Sequence, residues 1–216
     1  MATTTLIIAR HGNTFRKGET PTRVGARTDL PLVEEERGRA IGRYLKANGL
    51  IPQEVFAAPL QRTVKTAQLA MEEMNLKQEI ILLHDFTEID YGLDENKTEE
   101  EVVWRLGNGD VEKGKEVIEA WNREGIVPAG WIAEPQKIIQ DWFQWAENRV
   151  NGNGEDSCSL IVTSNGIIRF APYLTGDFEN FAKNNDIKVS TGNIAVFEKK
   201  EGERFWNCKA WNIKPF

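Results

Sequence analysis

Thr3-Thr4-Thr5-Leu6-Ile7-Ile8-Ala9-Arg10-His11-Gly12-Asn13-Thr14 is the stretch whose reading decides the fold. The apolar, β-branched run Leu6 to Ile8 predicts a buried strand, and the pattern breaks abruptly at Arg10-His11-Gly12. In open parallel sheets, ligands gather just beyond the carboxyl ends of the strands. An Arg, a His and then a Gly, which lets backbone amides approach closely, suit an anion at that position. The expectation is a phosphate pocket with His11 as nucleophile.

Outward from that stretch, composition bounds the possibilities. The 216 residues are enough for one domain with a real core and leave room for an inserted subdomain, and 40% hydrophobic with 28% charged content is ordinary for a globular chain. A formal charge of −6 argues against nucleic acid or a membrane surface as partner, so a phosphate pocket has to be a local cluster of cations. Cys158 and Cys208 match no metal or redox spacing and read as two small buried thiols in a reducing compartment. The amino terminus shows no signal-peptide pattern and no stretch is long enough to span a bilayer, so the expected location is cytoplasmic. Nothing here specifies an oligomeric state.

Along the chain, strand and helix patterns alternate. A polar loop from Gly18 to Pro31 follows the first strand and is expected to lie over its end. A helix is expected from Val33 to Ala47, with Ala40, Ile41, Tyr44 and Leu45 on one face and Asn48-Gly49 as its stop. Glu54 to Ala58 reads as the second strand. In the helix after it, Leu60, Val64, Ala67, Met71 and Met74 form a continuous apolar stripe, with Arg62 off that stripe in the first turn. Glu79 to Leu83 is a third apolar run.

Residues 93–156 depart from this rhythm and read as a helical, cap-like insertion. Helices are expected over Glu99 to Leu106, Val111 to Arg123 and Glu134 to Val150, followed by an Asn151–Asp156 linker. Five of the seven tryptophans fall between Trp104 and Trp145, and packing of these rings onto the sheet is the simplest reading. Ser159 to Thr163 is the fourth strand. A helix near Ile168 to Tyr173, a polar connection from Gly176 to Gly192, and strands over Asn193–Glu198 and Arg204–Trp211 complete the chain. The alternation predicts a three-layer α/β/α sandwich around a mostly parallel sheet.

Four fragments at matching spacing resemble the histidine phosphatases, the phosphoglycerate-mutase-like proteins. They are Arg10-His11-Gly12-Asn13-Thr14, Gly25 to Leu32, Ala58 to Ala67, and Glu88-Ile89-Asp90-Tyr91-Gly92. The resemblance covers most of the chain in the correct order. It departs in one place. The family has a second pocket histidine, followed by Gly, at the end of a later strand, and Val162 to Arg169 aligns there with Asn165 in its place. The only other histidine, His84, reads as a strand-end residue with no catalytic duty. Glu36 stands where a Gly is usual, which a helix tolerates.

The resemblance implies roles. His11 would attack phosphorus from its neutral form, aided by Arg10 and Arg62, which lower its pKa. Those two arginines would grip the phosphoryl oxygens through charge-assisted forks. Glu88 would protonate the leaving oxygen and then take a proton from water. Asp85, Asp90 and Asp94 are rivals for that duty. Thr14 offers a hydroxyl to the phosphate, or serves as an ordinary cap. Asn165 donates a hydrogen bond but supplies neither charge nor proton, so binding is expected to outlast turnover. No metal or cofactor is implied. The function read from the sequence is a metal-independent phosphatase for a small phosphorylated metabolite, slowed by Asn165. The alternatives are a phosphate-binding sensor or scaffold and a phosphoglycerate-type mutase.

Overall fold

The computed structural model describes residues 1–150 and 154–215; the expected 151–156 linker thus falls partly outside the described residues. Six strands, β1 (Thr3–Arg10), β2 (Glu54–Ala57), β3 (Ile80–Leu82), β4 (Ser157–Thr163), β5 (Ile194–Lys200) and β6 (Asn207–Ile213), form one sheet in the order β3-β2-β4-β1-β5-β6. β3, β2, β4 and β1 run parallel, while β5 pairs antiparallel with both β1 and β6. The sheet is therefore mixed, with a mostly parallel centre.

Strand alternation sends side chains to two cores. Leu6, Ile8, Phe56, Ile161 and Phe197 face one, and Ile7, Ala9, Val55, Leu160 and Val162 face the other. Helices α1 (Glu36–Ala47) and α2 (Gln61–Met74) cover the second face with Ile41, Leu45, Ala67, Met71 and Met74. Helix α1 begins at Glu36, three residues later than expected. The residues before it belong to the loop instead, tied down where the Val33 amide donates to the Asn13 carbonyl (2.9 Å).

The opposite layer holds α3 (Glu99–Leu106), α4 (Val111–Glu124) and α5 (Pro135–Glu147). Helix α5 lies on the sheet: Trp142 packs edge-on against Phe86 at 4.7 Å, and Trp145 against Phe56 at 5.6 Å. The Trp142 indole donates to the Ile167 carbonyl (2.9 Å). Trp121 and Trp131 are also buried, whereas Trp104 is 59% exposed. Thus four of the five clustered tryptophans pack as core and one does not.

Three other expectations need correcting. The helix expected at 168–173 is instead α6 (Asn165–Ile168) followed by a 3-10 turn (Ala171–Thr175), because Pro172 cannot continue an α-helix. The polar connection contains α7 (Phe178–Asn184), whose start is capped by Asp177 accepting from the Asn180 amide (3.1 Å). Cys158 and Cys208 are free but half-buried, and desolvation pushes their thiols up to about 12 and about 11. Among the described residues no helix is long and apolar enough to cross a membrane.

Helices α1 and α2 touch backbone to backbone. A Cβ at Gly42 would collide with the Ala70 carbonyl and sit 2.7 Å from the Glu73 Cβ. Gly42→Ala gains up to about 1 kcal/mol of helix propensity but overpacks this crossing by roughly 1–3 kcal/mol. Net destabilisation in urea unfolding is the expected outcome; a more stable variant would mean the helices separate freely.

Candidate active site

The sheet register builds the site. Arg10 is paired with Thr163, and the His11 amide donates to the Thr163 carbonyl (3.1 Å), so His11 and Asn165 leave adjacent strand ends side by side. Both line a cleft of about 930 Å³, together with Arg10, Thr14, Glu88 and Tyr91. Seven Arg or Lys residues face this cleft against three Glu, in a protein whose net charge is −6. The cation cluster is local, as anion binding in an acidic protein requires.

His11 is buried, and its Nδ1 lies 2.7 Å from the Gly12 carbonyl. A carbonyl only accepts, so the proton is assigned to Nδ1 and the lone pair to Nε2. Burial, then the charges of Arg10 and Arg62, hold the imidazole pKa well below its ordinary value. The ring is therefore kept neutral with a free lone pair.

Arg10 and Arg62 lie close enough to act on it, Arg169 lines the same cleft, and each of the three is bound by backbone carbonyls. Arg10 donates to the Val189 carbonyl (2.7 Å). Arg62 donates to the carbonyls of Thr28 (2.8 Å), Gly25 (3.3 Å) and Val24 (3.4 Å). Arg169 donates to the Trp121 carbonyl (2.6 Å) and lies over the Trp121 ring. None of the three forms an ion pair among the described residues. Desolvation lowers all three pKa values, that of Arg169 to about 10, so their charges persist at neutral pH. The buried Nε atoms of Arg10 and Arg62 have no protein partner. Arg62 is fully buried behind the cleft wall, where it acts on His11 through its charge and on loop 24–28 through its hydrogen bonds.

Glu88 is the one buried carboxylate on the cleft. Its Oε1 accepts from the Ile89 amide (2.9 Å) and its Oε2 from the Gly166 amide (3.2 Å). A Cβ at Gly166 would collide with Oε1, so only glycine lets the carboxylate approach this closely. The rival acids are engaged elsewhere. Asp85 pairs with Lys137, Asp90 with Arg27, and buried Asp94 with Arg105 and the Trp131 indole. His84 is exposed in a 3-10 turn.

Asn165 is buried, and its Oδ1 accepts from the Val189 amide (2.9 Å). That bond fixes the amide orientation and leaves the NH2 as a donor for the cleft. Val189 thus joins Asn165 to Arg10, its amide serving one and its carbonyl the other.

Several site residues escaped sequence reasoning. Arg169 sits in an otherwise apolar run from Ile167 to Tyr173, and that anomaly was the available signal. Glu95 accepts from the Gly25 and Arg27 amides and the Thr28 hydroxyl, clamping from the amide side the loop whose carbonyls Arg62 holds. No local pattern marks it. Tyr91 is buried on the cleft, and desolvation raises its phenol pKa.

Residues 6–214 match the model of the histidine phosphatase superfamily, branch 1. No curated protein matches the chain in sequence. Among solved structures, a mycobacterial glucosyl-3-phosphoglycerate phosphatase is 17% identical with a TM-score of 0.72, over 97% of this chain and 99% of that one. A phosphoglycerate mutase from Bacillus anthracis is 16% identical, with a TM-score of 0.73 over 98% and 93%. An alpha-ribazole phosphatase from Shigella flexneri is 16% identical, with a TM-score of 0.66 over 97% and 96%. At such identities the likeness is one of fold.

The depressed pKa of His11 has a signed consequence. Its unfolded value is about 6.5, so the stability it contributes is complete above that pH and is lost as pH falls toward the folded value. His11→Gln should flatten the loss of stability on the acid side of pH 6.5, with His84 common to both proteins. Nitrogen NMR at pH 6 should show a neutral His11 protonated on Nδ1; an imidazolium there would contradict this electrostatic picture.

Proposed function

Because the chain belongs to the histidine phosphatase superfamily, we propose that it is a phosphatase for a small phosphorylated metabolite, working through a phosphohistidine on His11. One observation carries the reading: a neutral imidazole, its Nε2 lone pair free, lines a cation-rich cleft that also holds the buried Glu88.

In this reading the Nε2 lone pair forms the N–P bond as the ester P–O bond breaks. Glu88 gives its proton to the departing alcohol oxygen. Water then attacks the phosphohistidine, Glu88 takes a proton from it, and the N–P bond breaks to restore the imidazole and release inorganic phosphate. Arg10 stabilises charge on the phosphoryl oxygens, with the Thr14 hydroxyl and the Asn165 NH2 as neutral donors. Arg62 supplies its charge from behind and the unpartnered Nε as its remaining donor. Phosphoryl transfer depends chiefly on such positioning and charge stabilisation.

Asn165 is the residue we assign to the place of the family's second pocket histidine. Its NH2 replaces a donor but not a charge, so the pocket holds phosphate well and turns over slowly. That feature also favours the second reading, a phosphate-ligand sensor. The residues 93–156 serve in this proposal as the specificity-bearing insertion, since Thr98, Glu99, Glu100 and Asn122 border the cleft. The free thiols fit the reducing cytoplasm, where we place the activity.

With an aryl phosphate, slow phosphate release that survives a chelator and disappears in His11→Ala is expected. Asn165→His should raise the rate by about tenfold or more, the lower edge of the cost of losing one preorganised donor. Equal inertness of wild type and His11→Ala, with phosphate still bound, would give the protein to the sensor reading. Interconversion of phosphoglycerates without net phosphate release would make it a mutase.

A further inference from the structure

A second concavity, of about 760 Å³, lies between α3 and α4. Its walls are Val103, Trp104, Val111 and Ile118, and Trp104 and Val111 are 59% and 42% exposed. Trp104 is the one member of the tryptophan cluster that the core does not use. The groove borders the catalytic cleft, and Glu99, Glu100 and Asn122 line both.

We propose that this groove seats the alcohol part of the phosphate ester, so that the substrate is an amphiphilic phosphomonoester with an extended apolar group. The inference rests on the phosphatase reading of the same site. Two observations fix the occupant. The groove and the cleft share Glu99, Glu100 and Asn122 as a common border, so the groove is the neighbouring concavity for a molecule anchored by its phosphate near His11. Charge is also polarised along that line. Cations crowd the phosphate end, while Glu101 and Glu119 belong to the groove alone, Glu99 and Glu100 stand at its border with the cleft, and its single cation, Lys115, is paired with Glu112 (2.8 Å). An alcohol carrying a second anion would meet those carboxylates; a neutral apolar one meets an exposed indole and aliphatic walls. Burial of an apolar chain against them is favourable at roughly fourfold in affinity per methylene fully seated.

Ethyl and n-octyl phosphate share the reactive group and a leaving alkoxide of the same basicity, so they isolate the groove. Octyl phosphate, below its aggregation concentration, should exceed ethyl phosphate in kcat/KM by on the order of 60-fold, the effect of about three seated methylenes. The gain should lie mainly in KM. Trp104→Ala and Val111→Ser should each remove much of that advantage while leaving ethyl phosphate turnover unchanged. Calorimetric binding of the same two esters to His11→Ala reads the groove independently of turnover. Chain-length-dependent binding without hydrolysis by wild type would overturn the phosphatase reading and leave the groove standing. Equal affinity for the two esters would overturn the groove. A concentration-dependent dimer abolished by Trp104→Ala would assign the surface to a second copy of the chain and overturn the proposal as well.

Discussion

The structure depends on solvating buried guanidinium charge without neutralising it. Taking a cation out of water costs several kcal/mol unless the protein supplies compensating groups. On the surface this chain uses carboxylates: Arg39 meets Glu35, Glu72 and Glu73. Around His11 it uses backbone carbonyls of Val189, Thr28, Gly25 and Trp121 instead. A carbonyl dipole satisfies an N–H but leaves the net charge in place. The positive potential is therefore available to whatever enters the cleft, and it adds to burial, the larger cause, in holding the His11 pKa down.

Satisfying those cations organises the loops. Loop 24–28 is held between the Arg62 guanidinium, which takes its carbonyls, and the Glu95 carboxylate, which takes its amides and a hydroxyl. Segment 186–191 is held at Val189, between Arg10 and Asn165. Gly166 brings Glu88 against the end of β4, where any side chain would push it away. The strand ends set the position of His11, and the charged residues draw the loops around it.

The fold was legible in the sequence because its main signals are periodic. The apolar runs of β1 and β4 and the stripe on α2 state their own burial. His11, Arg10 and Glu88 were legible as well, since reactive groups interrupt an apolar strand end or fall in segments resembling the family. Arg62 was found, but its position behind the wall was not, because spacing says which face a residue occupies and not how its forks are spent. Glu95 and Val189 were invisible: one acts through three weakly patterned partners, the other through its backbone alone. Helix α7 escaped because its buried contribution is little more than Phe181, and a polar sequence reads as loop. The division within 93–156, with α5 in the sheet layer and α3–α4 at the cleft, depends on tertiary packing that periodicity does not encode.

Carbonyl-solvated arginines also couple folding to solution composition. The guanidiniums (Arg62 and Arg169 buried, Arg10 half-buried) form no ion pair among the described residues; Glu88 offsets part of their charge, and Arg10 still bears the repulsion of Arg62 and Arg37 in the native state. A tetrahedral oxyanion bound in the cleft would relieve it in the folded chain and would find no equivalent cluster in the unfolded one. By mass action the melting temperature then becomes a function of buffer choice, rising with each tenfold increase in free phosphate or sulfate beyond its dissociation constant by about 1.4 kcal/mol of apparent stability.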